Sequence, residues 1–143
     1  MIVHPPPLPP AVIVHGLADA RTALAVGMPV TLLSAPGAAA FAGCLWWREM
    51  VTAARAACPA TGATDILDCA DAPGLAMAAL RGGVCRLVLS TAVPAWGPVR
   101  RLAEAQGGFV LADAPPALDL GAVDGAFRLR AWLNAADSHP GNR

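Results

Sequence analysis

The chain reads as an α/β fold, a three-layer α/β/α sandwich around a five-stranded, mostly parallel sheet. Three observations predict this. Short runs of β-branched and leucine residues such as Val30 to Leu33 show no polar alternation, as expected of strands buried on both faces. Alanine-rich stretches with helical spacing of apolar residues separate these runs. The joints between them hold only a few residues, most with glycine or proline, which suits parallel strands joined by right-handed helical crossovers.

Residues 1–10 contain five prolines and form an extended leader ahead of a single domain over 11–136, with 137–143 as a flexible tail. Ala11 to His15 is the first strand, and Gly16 ends it. Leu17 to Val26 is a helix with Asp19 in its first turn and Gly27 as its stop. Pro29 opens the second strand, Val30 to Leu33. After the turn Ser34-Ala35-Pro36-Gly37, one long helix is expected as far as Cys58, with Trp47, Met50, Val51, Ala54 and Cys58 on one face. Trp46 lies about 100° round from Trp47, and Phe41 with Leu45 leaves an apolar patch near the helix start.

Thr64 to Cys69 is the third strand. Ala72-Pro73-Gly74 repeats the Ala35-Pro36-Gly37 turn before a helix from Leu75 to Arg81. Arg86 to Leu89 is the fourth strand, and Ala79 to Ser90 aligns without a gap on Ala23 to Ser34 as helix end, glycine, strand, serine. Pro98 suits the first position of a helix from Val99 to Gln106. Phe109 to Ala112 is the fifth strand, closed by Pro115-Pro116, and a last amphipathic helix over Val123 to Ala136 turns Leu129, Trp132, Leu133 and Ala136 inward. A flavodoxin-like sheet of order 2-1-3-4-5 is expected, with a Rossmann-like 3-2-1-4-5 as the alternative.

Composition narrows the function. The 143 residues are 56% hydrophobic and only 14% charged, thin cover for a monomer's surface, so a homo-oligomer, most simply a homodimer, is expected. The formal net charge is zero and the arginines are scattered among as many acids, which argues against a nucleic-acid partner. The absence of lysine excludes Schiff-base and P-loop chemistry. Neither a signal peptide nor a membrane span is indicated, so a cytoplasmic location is expected, with Cys44, Cys58, Cys69 and Cys85 as reduced thiols.

Parallel sheets bind ligands beyond the carboxyl ends of their strands. His15 is the candidate base, with a side chain suited to proton transfer near neutral pH, and Asp68 is the second candidate catalytic residue. Ser34, Gly37, Asp71, Ser90, Thr91 and Trp96 are the candidate ligand-binding residues, with helix N-termini to hold a small anion and Trp96 as a lid. Strand-end polar residues also serve turns and helix caps, and Asp71 reads more simply as the cap ahead of Pro73. Asp68 and Asp71 with Asp113 suggest magnesium only weakly, and no metal site is assigned. Cys69 stands beside a helix start, where the dipole favours thiolate.

From Ala11 to Pro116 the layout resembles a response-regulator receiver domain: Asp68 after the third strand, Ser90 or Thr91 after the fourth, and Gly107-Gly108-Phe109-Val110-Leu111 leading to a proline. It departs where such domains place an acid pair, here His15-Gly16, and a lysine, here Asp113. The resemblance therefore implies no aspartyl phosphorylation. The sequence points first to a non-catalytic binding or protein-interaction module. The alternative is a small enzyme or ligand-binding protein that takes an anionic metabolite at the strand ends, with His15 as base.

Overall fold

A computed structural model describes residues 7–137, with side chains to 135. The first six residues of the leader, nearly all of the tail and the side chain of Ala136 lie outside the described residues. The α/β class is found: a parallel sheet flanked by helices. In chain order the elements are β1 (Ala11–Ile13), α1 (Leu17–Ala25), β2 (Val30–Leu33), α2 (Ala38–Phe41), α3 (Cys44–Ala57), β3 (Ala63–Asp68), α4 (Pro73–Arg81), β4 (Arg86–Val88), α5 (Trp96–Ala105), β5 (Phe109–Leu111), β6 (Ala117–Asp119) and α6 (Gly125–Asp137).

The sheet has six strands where five were expected, in the order β5-β4-β3-β2-β1-β6. Both expected orders are thereby corrected. From β1 to β5 every crossover steps in the same direction, and right-handed crossovers that all step one way put their helices on one face. The packing agrees. Every buried helical apolar residue, from Ala20 and Leu24 to Leu129 and Leu133, joins a single core with Val12, Leu32, Leu67, Leu87 and Val110 of the strands. The opposite face holds a second cluster of Leu33, Ile66, Val88 and Phe109, flanked by Leu8, Ile13, Leu111 and Ala117, with no helical residue in it. The second helical layer of a sandwich is not found among the described residues.

Sheet curvature closes that second face. Six strands laid flat set the outer two roughly 24 Å apart, at about 4.8 Å per neighbour. The link from Leu111 of β5 to Ala117 of β6, at opposite edges, spans at most about 22 Å when fully extended. The sheet must curl to let it pass. Curling turns Leu33, Ile66, Val88 and Phe109 towards one another, and none is more than 8% exposed. The proline leader stops the lower end: Thr31 donates from its backbone N–H to the Pro10 carbonyl (2.9 Å) and from its hydroxyl to that of Pro9 (2.8 Å).

The expected long helix breaks at Gly43, which takes φ 89°, a conformation costly for any residue with a Cβ. Beyond the break, Trp47, Met50, Val51 and Ala54 are buried as expected, while Cys58 is half-buried. The two aligned segments do share a geometry: Gly27 and Gly83 have φ 80° and 82° ahead of β2 and β4. The two Ala-Pro-Gly turns do not. Gly37 is left-handed before a four-residue helix, whereas Pro73 is the first residue of α4. Likewise α5 begins at Trp96, so Pro98 sits inside its first turn.

Candidate functional site

The polar residues at the carboxyl ends continue the alternation of the inner face, so His15, Asp68, Ser90, Asp113 and Asp119 stand around the mouth of the curled sheet. They fall into two groups. Beyond β3, β4 and β5, a shallow depression of about 480 Å³ is lined by Gly37, Asp68, Asp71, Ser90 and Asp113, among others. Four of the eight expected site residues meet there. His15 is not in its lining and lies instead beyond β1, against Asp119 of β6.

Local hydrogen bonds shape the depression. Asp68 is 7% exposed, and its Oδ1 accepts the Ala70 N–H at 2.8 Å. That bond holds Ala70 at φ 51°, the one described non-glycine residue with positive φ. The Ala70 carbonyl in turn accepts the Ser90 N–H (2.8 Å), and the Ser90 hydroxyl accepts the Ala92 N–H (3.2 Å). Ser34 is buried: its hydroxyl accepts the Asp68 N–H (2.9 Å) and donates to the Ala35 carbonyl (3.1 Å), which staples β2 to β3 and leaves no face for a ligand. Asp71 does not cap α4, whose N-cap is Ala72 with no side-chain bond.

Thr91 is exposed and outside the lining. Trp96 is no lid over the depression: its indole N–H donates to the Leu89 carbonyl (2.8 Å) and the Arg100 guanidinium sits over its ring at 5.5 Å, fixing α5 to the end of β4. Cys69 is 1% exposed, and burial first, then the Asp68 and Cys44 charges, pushes its thiol up to about 12, against the thiolate that a helix start alone would favour. Asp68, Asp71 and Asp113 give the depression three carboxylates, and its lining contains no arginine or histidine. Among the described residues no group of three or more histidine, cysteine or acidic side chains is arranged to hold a metal ion.

The second group is a pair. His15 Nε2 lies 2.6 Å from Asp119 Oδ1, with the two side chains 43% and 46% exposed. The same oxygen accepts the Gly121 N–H at 2.8 Å, while the backbone N–H of His15 donates to Asp19 Oδ2 at 2.9 Å. The hydrogen bond from His15 holds the Asp119 carboxyl below its ordinary range, helped by the Gly121 N–H and opposed by partial burial. A Cβ on Gly121 would fall 2.7 Å from the imidazole Nε2, so this position is matched to the ring. Reasoning from the sequence missed Asp119, because 104 residues separate it from His15 and its strand was not read.

Away from the mouth, Asp65 is 7% exposed and its Oδ1 accepts from Arg55 and Arg86, each at 2.7 Å. On the helical side Phe41, Leu45 and Trp46 are 73%, 56% and 39% exposed across α2 and the start of α3. No helix among the described residues is long and apolar enough to cross a membrane. Comparison with known protein families, characterised proteins and solved structures gave no significant match.

Proposed function

We propose that this chain is a protein-interaction module that pairs with a second copy of itself through the apolar face of α2 and α3, in the cytoplasm. The observation that carries the reading is the exposure of Phe41, Leu45 and Trp46 on one short stretch of a chain with few charges. Isolated apolar residues are ordinary on a protein surface, whereas three large ones within six positions form a patch that water disfavours. The patch is also braced. Trp46 rests against the buried Trp47 with ring centroids 6.2 Å apart, and Arg48 beside it donates to the Gly82 carbonyl at 2.9 Å. Such rigid aromatic anchors lose little side-chain freedom on binding. The four described cysteines, all unpaired, suit a reducing compartment.

Light scattering coupled to gel filtration tests this. The wild type should elute as a dimer, and the double variant Phe41→Ser, Leu45→Ser as a folded monomer. Equal masses for the two proteins would refute the patch as the contact.

The mouth supports a second reading, a small-ligand site in the depression beyond β3 to β5. Its three carboxylates would repel the anion expected from the sequence and suit an organic cation or a polyhydroxylated compound that donates hydrogen bonds. A thermal-shift screen with polyamines and sugars, comparing wild type with Asp113→Asn, checks it. No shift with either class would remove this reading.

A further inference from the structure

Resting on the small-ligand reading of the depression beyond β3 to β5, we infer that its ligand is an aliphatic diamine, with one primary ammonium group seated on Asp68 Oδ2. A buried charge without a counter-charge carries this. Among the described residues two carboxylates are buried, those of Asp65 and Asp68. Asp65 is matched by Arg55 and Arg86, each at 2.7 Å. Asp68 has no ion-pair partner among the described residues, and the depression it lines holds neither arginine nor histidine, in a chain without lysine. Its Oδ1 takes the Ala70 N–H, whereas Oδ2 receives no hydrogen bond from a described residue. Taking a carboxylate out of water unpaired is costly, and a cation that fits beside it removes the cost.

The fold aims this group into the depression. Along β3 the side chains alternate, with Leu67 in the core under the helices and Ile66 in the inner cluster, so Asp68 stands on the inner face at the mouth. Parallel barrels with all their helices outside bind ligands at this same end, the carboxyl end of the strands. The volume of about 480 Å³ falls in the ordinary range for small-molecule sites.

The rest of the lining chooses between an amine and a polyhydroxylated compound. Pro36, Ala70, Val88 and Ala112 are apolar, and Val88 belongs to the inner cluster, so the depression opens onto the apolar interior. Hydroxyl groups laid against these residues would lose their hydrogen bonds to water, whereas a methylene chain packs on them. Asp71 and Asp113, both exposed, are left to attract the second ammonium group.

Isothermal titration calorimetry on the full chain, with cadaverine, the matching five-carbon diol and sorbitol as probes, tests this. Cadaverine should bind the wild type, and the diol and sorbitol should not. Asp68→Asn, whose amide oxygen can still accept the Ala70 N–H, should keep the fold by circular dichroism and weaken cadaverine at least about tenfold, as loss of a buried charge partner does. Asp71→Asn and Asp113→Asn should each weaken it about threefold or less, as at exposed pairs. Equal losses in the three variants would mean diffuse attraction to an acidic surface and would overturn the inference. Should Asp68→Asn fail to fold, the wild-type comparison of cadaverine with the diol still decides. Binding of sorbitol or the diol without cadaverine overturns the diamine and leaves the small-ligand reading standing, whereas binding of none of the three removes both.

Discussion

Replacing Asp65 by alanine should destabilise the fold by about 2–3 kcal/mol, and the figure follows from its surroundings. The Asp65 side chain is 10% exposed, and a single oxygen takes charge-assisted bonds from Arg55 and Arg86. Arg55 reaches in from α3, while Arg86 also bonds the Asp65 backbone carbonyl across from β4 at 3.0 Å. Breaking a fully buried ion pair costs roughly 3–5 kcal/mol because the partner charge is stranded. Here the two arginine side chains are 41% and 30% exposed, so each regains water, which brings the estimate below that range. In a domain of this size the loss lowers the melting midpoint by roughly 6–12 °C. Urea denaturation of wild type, Asp65→Ala and the isosteric Asp65→Asn measures it, with asparagine expected between the other two. A loss under about 0.5 kcal/mol for alanine would mean that the arginines gain nothing from the carboxylate, as at many surface pairs, and would refute the reasoning.

Three further outcomes follow from particular residues. Trp47 is fully buried with no partner for its indole N–H among the described residues, so Trp47→Phe relieves a desolvation cost of about 1–3 kcal/mol while opening a small void. Its net effect in urea denaturation should be within about 1 kcal/mol of zero, against a loss of about 3 kcal/mol or more for Trp47→Ala. Because Asp119 titrates lower in the folded chain than in the unfolded one, its contribution is complete above the ordinary carboxyl range and is lost as the pH falls through the folded value. Asp119→Asn should accordingly flatten the acid limb of a stability-against-pH curve below about pH 4, and an unchanged limb would contradict the pair. With its thiol pushed up to about 12 and 1% exposed, Cys69 should resist iodoacetamide at pH 8 while half-buried Cys44 and Cys58 react, as read by peptide mass spectrometry.

Much of the fold was legible because periodicity is local. The run Val30 to Leu33 is buried at every position, and the face Trp47, Met50, Val51 and Ala54 is the buried face of α3. Strand order was not legible, since the same strand and helix patterns serve a crossover that steps either way along the sheet. β6 escaped notice because Ala117-Leu118-Asp119 is three residues long and has no β-branched side chain, and its place is fixed by pairing with β1. Identical Ala-Pro-Gly tripeptides adopted different conformations because their tertiary settings differ, with Gly37 lying 3.8 Å by its would-be Cβ from Ala70.

The site followed the same division. Strand ends located Asp68, Asp71 and Ser90 at one depression, and nothing in their own sequence told that Ser34 would be consumed as a staple or Trp96 as an anchor. The partner of His15 depended on an unread strand. The acidity of the mouth was visible only once Asp68, Asp71 and Asp113 were brought together from separate loops.

Sedimentation equilibrium of the wild-type chain over about 1–100 μM tests self-association most directly. The account predicts a mass rising to twice the 14.5 kDa protomer by tens of micromolar, and a single-protomer mass for Leu45→Arg. A protomer mass for the wild type across the whole range would contradict it.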